Sequence, residues 1–383
     1  MPHTPPPLPT WVGDADSVVA LADELSRRCP PGDRLAIDTE FHTERRYHPE
    51  LMLVQLALAD GGCWLIDPTA ADLSPLAPVL SGRDWVAHGA DNDLAILHAQ
   101  LGVRPTALWD TQALAGLLGF GFPRRLEDLV SAHLEAPAPP GATLTDWSKR
   151  PLSIAQQRYA AADARQVLVL VDTLAPRLSE RQRGWWRAIG DEQIARALTP
   201  ADPDRGWKRL GIAATLDAST RQVLTRVAGW REEQARRRDV PPGYVLPDTV
   251  LLDLARRRPA DVAALAENRR ASKGLLKHHG ATLIELVHGT GGPQADPPLS
   301  LDQDRLRVAL SAWAVAFEAA TGLAAGLSLP GGQIEAVARA GVGALDGWRA
   351  EAVVPALKAF LGGESAIRIV EGGLRLKPSP GDP

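Results

Sequence analysis

Cysteine is scarce in this sequence, and long apolar runs are absent. Cys29 and Cys63 are the two cysteines among 383 residues, and they can neither build a disulfide framework nor supply the spacing of a metal site. No stretch approaches the length of a membrane span. The Pro-rich opening MPHTPPPLPT has neither the basic nor the apolar segment of a signal peptide. We therefore expect residues 1–10 to be disordered and the protein to be cytoplasmic.

Two further features narrow the function classes. No GxxxxGK[ST] segment occurs, so neither a nucleotide cofactor nor nucleotide-driven unwinding is expected. The formal net charge of -4 does not exclude a nucleic-acid partner, because local basic patches matter more than the total charge. The composition, 45% hydrophobic and 23% charged, is that of a globular protein, and the length accommodates two or three domains.

The spacing of apolar residues along the sequence changes near residue 180. Before it, apolar segments at 34–41, 51–59, 63–67 and 84–89 predict short strands mixed with helices; after it, helical periodicity dominates. Alternating apolar residues around EGG near the end predict a small hairpin. The predicted organisation is a disordered start at 1–10, an α/β domain at 11–181, a helical connector at 182–215, a helical domain at 216–292, a linker at 293–300 and a second helical domain at 301–378.

The stretch RLAIDTEF reads as a buried strand that carries two carboxylates. Asp38 and Glu40 are two residues apart, so their side chains share one face. Burying two negative charges together is costly unless a positive partner lies between them. A solvated strand edge is the more common setting for such a pair, so the motif needs support from elsewhere in the chain.

Further acidic residues supply that support. Asp91 and Asp93 stand at the start of a predicted helix, where carboxylates also favour the helix dipole. Tyr159 and Asp163 are four residues apart on the helix that the capping box Ser153–Gln156 opens, and the alanines between them keep that face slim. Each pair also has an ordinary structural explanation; the combination favours a site.

Oxygen ligands without a His or Cys cluster favour Mg²⁺ or Mn²⁺. Lone histidines such as His42 and His88 more often satisfy backbone groups than bind metal. Two ions roughly 3.5–4 Å apart form the clamp that phosphodiester cleavage uses, with one ion activating water and the other stabilising the leaving 3′ oxygen. Tyr159, with a phenol pKa near ~10, would orient the water rather than deprotonate it.

The order of DTE, HGADND and YAAAD resembles the three motifs of the DEDD exonuclease superfamily, tyrosine subclass. AIDTEFHTERRYHPELMLVQLA, WLIDP, WDTQALAGLLG and DWSKRPLSIAQQRYAAADA resemble ribonuclease D over the first 180 residues. The resemblance implies a ribonuclease H-like mixed sheet with flanking helices. It implies Asp38, Glu40, Asp93 and Asp163 as ligands of two divalent metal ions, and Tyr159 as the residue that places the water. Asp93 is preferred to Asp91 because, in NDLAIL, it directly precedes the Leu-led apolar stripe of the helix. Asp110 is interpreted as structural.

The function that the resemblance implies is metal-dependent 3′→5′ exoribonuclease activity on tRNA precursors and other small structured RNAs, releasing 5′-monophosphates. A DNA 3′→5′ exonuclease is one alternative, because the residues do not reveal a 2′-hydroxyl contact. A nucleic-acid-binding scaffold that has lost activity is another. All five catalytic positions carry the expected residue types, which argues against the scaffold.

Basic and aromatic residues supply candidate RNA contacts. Phe41 is a candidate to stack on the terminal nucleotide, or is a core residue; Lys149 and Arg150 precede the catalytic helix and either contact phosphate or lie in a solvated loop. Residues 216–292 hold thirteen Lys and Arg against nine Asp and Glu, a surplus of four, and resemble the HRDC domain. Its candidate phosphate contacts are Arg236, Arg237, Arg238, Arg256, Arg257, Arg258, Arg269, Arg270, Lys273 and Lys277.

Three expectations concern the remaining helical residues. Trp230 and Tyr244 are predicted to be core residues of the HRDC domain. The segment DGWRAEAVVPALKAFLGG resembles a second, divergent HRDC-like domain, so the predicted architecture is an α/β exonuclease domain followed by two small all-α domains. Separate domains joined by linkers favour a monomer.

Overall fold

The structure, a computed structural model, describes residues 7–134, 145–200, 202–203, 206–207, 210, 216–290, 294 and 296–379. These residues fall into two compact units. The first is drawn from residues 1–41, 51–199 and 302–383, and the second from residues 42–50 and 200–301. None of the helices in the described ranges is both long and apolar enough to cross a membrane.

A six-stranded mixed sheet forms the centre of the first unit. Its strands are β1 (Thr10–Val12), β2 (Arg34–His42), β3 (Glu50–Ala57), β4 (Cys63–Ile66), β5 (Asp84–Ala87) and β6 (Ala107–Asp110). The spatial order is β1-β4-β3-β2-β5-β6. Strands β3 and β4 are antiparallel, whereas β2–β5, β5–β6 and β1–β4 are parallel pairs. The sheet confirms the predicted α/β class and places β2 in its interior.

The four predicted strands are confirmed as β2 to β5, and two further strands flank them. Leu35, Ala36 and Ile37 bury the first half of β2 almost completely, so the strand is anchored before its acidic residues begin. The edge strands β1 and β6, of three and four residues, were not predicted.

Among the described residues, eleven α-helices belong to the same unit. In the first half they are α1 (Ala15–Arg28), α2 (Ala77–Ser81), α3 (Asp91–Leu101), α4 (Thr111–Leu117), α5 (Leu126–His133), α6 (Ile154–Leu174) and α7 (Glu180–Leu198). The predicted capping box at α6 is confirmed, because Ser153 and Gln156 each bond the other's backbone amide. Gly190 lets α7 lie against β6: a Cβ there would stand 2.0 Å from the Leu108 carbonyl oxygen.

The C-terminal helices of the first unit share a hydrophobic cluster with the α/β residues. These helices follow the second unit in the sequence and are numbered accordingly. They are α13 (Leu301–Thr321), α14 (Ala325–Ser328), α15 (Gly331–Ala340) and α16 (Gly347–Leu361). Trp313 and Leu327 belong to the same buried cluster as Leu114 and Trp186. Because of this shared core, residues 302–383 group with the α/β domain, and a separate second HRDC-like domain at 301–378 stays a prediction. The predicted hairpin is confirmed as β7 (Ser365–Val370) and β8 (Gly373–Pro378), which pair antiparallel.

The second unit is helical. It contains α8 (Ala218–Arg238), α9 (Pro242–Val245), α10 (Asp248–Arg257), α11 (Val262–Ala266) and α12 (Lys273–His288) around one buried cluster. Arg231 of α8 is buried and lies 2.5 Å from Asp248. Residues 42–50 belong here too: Asp239, at the end of α8, lies 3.2 Å from Arg46 and accepts a 3.0 Å hydrogen bond from the His48 amide.

Of the two aromatic residues predicted to lie in the core of this unit, the prediction for Tyr244 is wrong. Tyr244 is 68% exposed, because α9 is a single short turn that directs the ring outward while Val245 and Leu246 fill the core. Trp230 is partly buried against the cluster and makes an edge contact with His279, ring centroids 5.1 Å apart. The apolar character of a tyrosine ring alone does not decide which way a one-turn helix faces.

Candidate active site

Three carboxylates meet at the end of β2. Oxygen atoms of Asp38, Glu40 and Asp163 all lie within 4.8 Å of one another. Asp38 and Glu40 project from one face of the strand, as the two-residue spacing predicts. Asp163 comes from the middle of α6, across that face. Residues more than a hundred positions apart in the sequence therefore form one acidic cluster.

Asp93 lies beside this cluster rather than among its three closest members. It stands in the first turn of α3, is 7% exposed, and accepts a hydrogen bond from the Thr39 hydroxyl. Its charge acts on both Asp38 and Glu40. Asp91, the alternative, faces solvent and pairs with Arg196 at 2.6 Å. The geometry therefore favours Asp93 over Asp91 as the fourth carboxylate of the site.

Tyr159 joins the cluster from the same face of α6 as Asp163. Its hydroxyl interacts with the Asp163 carboxylate, one helical turn away, and this interaction lowers the pKa of Asp163 and raises that of Tyr159. The ring packs in a buried group with Trp147, Leu152 and Met52. This packing places the phenol at the edge of the carboxylates.

The carboxyl groups of the cluster lie close together and away from water, and this changes their pKa values. Burial, reinforced by Asp163 and Asp93, raises the pKa of Glu40 to about 8. Burial raises the pKa of Asp163 to about 7 and that of Asp93 to about 6, although hydrogen bonds from Tyr159 and Thr39 oppose the rise. Burial and the neighbouring carboxylates raise the pKa of Asp38 well above its usual range. A cation among these groups would reverse each of these shifts.

The donor set fits a hard divalent cation. All the converging ligand atoms are carboxylate oxygens, and repulsion among them is unrelieved by any arginine or lysine within hydrogen-bonding distance in the described ranges. Mg²⁺, Mn²⁺ and Ca²⁺ prefer such ligands, whereas zinc sites draw on His and Cys. Asp38, Glu40 and Asp163 are the residues that would hold the ion most closely.

A cavity of about 360 Å³ opens onto the carboxylates. Asp38, Tyr159 and Asp163 line one side of it. The remaining wall is built from His88, Gln112, Pro123, Arg124, Arg125, Leu126 and Glu127. The wall therefore combines apolar surface with two arginines, which suits a ligand that carries both a flat apolar ring and a negative charge.

Three residues predicted as substrate contacts lie outside that wall. Phe41 is half-buried and packs against a hydrophobic cluster of the sheet. Arg150 pairs with Asp67 and donates 2.7 Å hydrogen bonds to the Met52 and Trp147 carbonyls. Its guanidinium is thus committed to holding the loop before α6. Lys149 is 77% exposed, 3.7 Å from Asp146.

The predicted HRDC cations are mostly on the surface. Arg237, Arg238, Arg256, Arg257, Arg258, Arg269, Arg270, Lys273 and Lys277 are exposed, and Arg236 is half-buried. Arg257 pairs with Glu267 at 2.7 Å, and Arg236 lies over the Tyr47 ring. Arg256, Lys273 and Lys277 make no ion pair within the part of the chain that the structure describes, so their charges are available to a ligand.

Thr39, Gln112 and the pair Arg124–Arg125 were not predicted as residues of the site. Two adjacent arginines before a helix are visible in the sequence, but their distance from the carboxylates is set by the sheet and not by any spacing. Thr39 lies between the two acidic residues of β2, on the opposite face, so the motif hides its role.

Comparison with known proteins agrees with this geometry. Residues 9–179 match the family described as 3′–5′ exonuclease, and residues 220–287 match the HRDC domain. A ribonuclease D of Granulibacter bethesdensis is 34% identical, over 76% of this chain and 74% of its own length. A ribonuclease D of Jannaschia sp. is 33% identical, over 94% of this chain and 96% of its own.

Solved structures show the same relationship. The crystal structure of Escherichia coli RNase D, described as an exoribonuclease involved in structured RNA processing, superimposes with a TM-score of 0.77 and 25% identity. The match covers 92% of this chain and 98% of that one. With the carboxylate cluster, the exonuclease and HRDC regions and these relatives taken together, the chain belongs to the ribonuclease D family of 3′→5′ exoribonucleases.

Proposed function

We propose that this protein trims RNA from its 3′ end, one nucleotide at a time, by two-metal-ion hydrolysis that releases 5′-monophosphates. The observation that carries the proposal is the convergence of Asp38, Glu40 and Asp163 within 4.8 Å, with the Tyr159 hydroxyl beside them. In this proposal Asp93 is the fourth metal ligand, and Mg²⁺ or Mn²⁺ is the physiological ion.

The bound ions supply the neutralising charge, lower the pKa of the attacking water and stabilise the leaving 3′ oxygen. The protein's own contribution is positioning. Burial and nearby carboxylates raise the pKa of Tyr159 above its usual value, so the phenol keeps its proton over the working pH range. In this proposal the phenol donates a hydrogen bond to Asp163, and its oxygen remains free to accept a hydrogen bond from the water and to orient it.

The proposed substrates are tRNA precursors and other small structured RNAs. The similarity to the E. coli enzyme, an exoribonuclease involved in structured RNA processing, supports this class. The cavity beside the carboxylates supports a single strand end, since about 360 Å³ has room for a nucleotide but not for a duplex.

The helical second unit is the proposed site for the body of the RNA. Arg256, Lys273 and Lys277 are exposed and lack ion pairs among the described residues, and each phosphate that a cation neutralises releases counterions from the nucleic acid. Arg236, Arg237 and Arg257 belong to the same proposed contact, although Arg236 and Arg257 must exchange their present acidic neighbours for phosphate.

A degradation assay tests the proposal. A 3′-extended tRNA and a matched single-stranded DNA, each labelled at the 5′ end, are incubated with the protein in Mg²⁺, Mn²⁺ or EDTA. We expect a ladder that shortens from the RNA 3′ end and disappears in EDTA. The variants Asp38→Ala and Asp163→Ala should lose the ladder while retaining the wild-type melting temperature in EDTA within a few degrees.

Each other result has a definite meaning. Faster trimming of the DNA makes the protein a DNA exonuclease, the runner-up that shares the same metal chemistry. Binding without trimming leaves a nucleic-acid scaffold. Trimming that persists in both alanine variants contradicts the assignment of the metal site.

A further inference from the structure

The turn that leads into α5 places two arginines on the wall of the cavity that the carboxylates also line. Arg124 and Arg125 line the same space as Asp38, Tyr159 and Asp163. They are the only lysine or arginine residues among the described residues that line it. The cations of this wall thus come from one dipeptide that has no part in holding a metal ion.

The main chain of this turn is fixed in place. The Arg124 carbonyl oxygen accepts a 2.8 Å hydrogen bond from His88 Nε2 and a 3.3 Å hydrogen bond from Gln112 Nε2. Because a carbonyl can only accept, the His88 proton resides on Nε2, and Nδ1 lies 2.9 Å from the Thr111 hydroxyl. His88 directly follows β5, and Gln112 lies in the first turn of α4, which follows β6.

The same region is tied to the sheet through Asp110. Its carboxylate accepts hydrogen bonds from the Gly89 amide at 3.0 Å and from the Gln112 amide at 2.7 Å. Gln112 and His88 are therefore oriented by backbone contacts, and they in turn fix Arg124.

The arginine side chains themselves are loosely held. Arg124 lies 3.5 Å from Asp128 and Arg125 lies 3.4 Å from Glu127, and the two guanidinium side chains are 48% and 69% exposed. Exposed pairs of this kind contribute little to stability. A phosphate, which accepts two parallel hydrogen bonds from one guanidinium, competes successfully with such partners.

We propose that Arg124 and Arg125 bind the phosphodiester group on the 5′ side of the bond that is cleaved. This inference rests on the proposed function, in which the scissile phosphate itself lies at the carboxylates. The next phosphate of the strand then meets the two arginines in the wall of the same cavity. Holding it there sets the register of the strand, so that one nucleotide enters the site in each cycle.

Two substrates distinguish binding of the neighbouring phosphate from a role in the hydrolysis itself. A single-stranded oligoribonucleotide carries the neighbouring phosphate. The p-nitrophenyl ester of uridine 5′-monophosphate carries only the phosphodiester that is hydrolysed. For the double variant R124A/R125A we expect the KM for the oligoribonucleotide to rise about 10- to 100-fold with kcat nearly unchanged. The KM and kcat for the ester should stay within about twofold of the wild-type values.

The matched control is the double variant R27A/R104A. Arg27 and Arg104 are exposed residues of the same unit outside the cavity wall, so the control removes the same charge. We expect it to leave both substrates unaffected. The lysine variant R124K/R125K should recover part of the loss. The melting temperature of all variants should stay close to that of the wild type, since substitutions of exposed side chains change stability little.

Three results would overturn the inference. One is an equal loss for the oligoribonucleotide and the ester, which places the arginines at the reacting centre. Another is an unchanged KM for the oligoribonucleotide, and the third is an equal rise in the control variant, which indicates a general charge effect. Failure of the proposed function is a separate observation: the wild-type protein then trims no RNA, whatever the state of the arginines.

Discussion

The Thr39 hydroxyl donates a hydrogen bond to the Asp93 carboxylate, and so joins the strand that carries Asp38 and Glu40 to the first turn of α3. Thr39 projects from the face of β2 opposite to its two acidic neighbours. One face of β2 therefore carries the carboxylates of Asp38 and Glu40, and the opposite face fixes the carboxylate of Asp93. The bond also opposes the rise that burial imposes on the pKa of Asp93.

Removing this hydrogen bond should weaken metal binding. In Thr39→Val the side chain keeps its shape but no longer donates to Asp93, so the carboxylate loses both its orientation and part of its acidity. We expect divalent-metal affinity, measured by calorimetry, to fall about 10-fold or more. Thr39→Ser, which retains the hydroxyl, is the control. Equal affinity in the valine variant would show that Asp93 is oriented by other contacts.

The choice between the two aspartates of α3 can be tested directly. Asp93→Asn should reduce kcat at least about 100-fold, because an amide oxygen is a poor substitute for a charged ligand of a hard cation. Asp91→Asn removes the same charge two residues away but breaks only the exposed pair with Arg196. We expect that variant to retain nearly full RNA trimming. The reverse order of activities would move the fourth ligand to Asp91.

Glu40→Gln should separate RNA binding from catalysis. The amide preserves the size of the side chain and removes one of the charges that crowd Asp38 and Asp163. We expect RNA affinity, measured by fluorescence anisotropy in Ca²⁺, to stay within about threefold of wild type while turnover in Mg²⁺ falls at least about 100-fold. A parallel loss of affinity and turnover would mean that Glu40 contacts the RNA itself.

Tyr159→Phe removes the hydroxyl that is proposed to orient the water and leaves the ring packed beside Trp147. We expect kcat to fall about 100-fold, the lower range for a group that positions a proton in the transition state. The KM and the metal affinity should change little, since neither depends on the phenol. A variant with normal kcat but weakened metal binding would make Tyr159 a support for Asp163 and nothing more.

The metal-free protein should lose stability as the pH rises. The pKa values of Asp93, Asp163 and Glu40 in the folded state are about 6, about 7 and about 8, above those of the unfolded chain. Folding therefore favours the protonated carboxyls. Their stabilising contribution is complete at low pH, below the ordinary pKa values, and is lost as the pH rises through the range from about 6 to about 8.

Melting temperatures in EDTA and in Mn²⁺ measure this linkage. We expect the difference between the two to grow from about pH 5.5 to about pH 8.5, because bound metal replaces the protons. Asp163→Asn, with one charge fewer in the cluster, should melt above the wild type in EDTA at about pH 8 and near it at about pH 5.5. A difference between the two proteins that does not change with pH would contradict the electrostatic account.

Local features of the site were predictable from sequence, whereas tertiary neighbours were not. The two-residue spacing of Asp38 and Glu40 and the four-residue spacing of Tyr159 and Asp163 are properties of a strand and a helix, and the structure has them as predicted. The proximity of Arg124 to these residues depends on how α5 follows β6 and on the anchors His88 and Gln112. No spacing in the sequence carries that information.

Domain grouping shows the same limit. Linkers and helical periodicity predict where segments begin and end, but not which buried faces meet. Trp313 and Leu327 lie in the segment that was predicted as a second helical domain. Both side chains nevertheless share a buried cluster with Leu114 of α4. Tyr244 is exposed although its residue type favoured the core.

Anomalous scattering from crystals grown with Mn²⁺ and a nucleoside 5′-monophosphate tests the central claim most directly. The account predicts two manganese peaks bounded by Asp38, Glu40, Asp93 and Asp163, with the phosphate of the nucleotide against both peaks and the Tyr159 hydroxyl nearby. Manganese bound away from these carboxylates, or a nucleotide phosphate that contacts no metal, would contradict it.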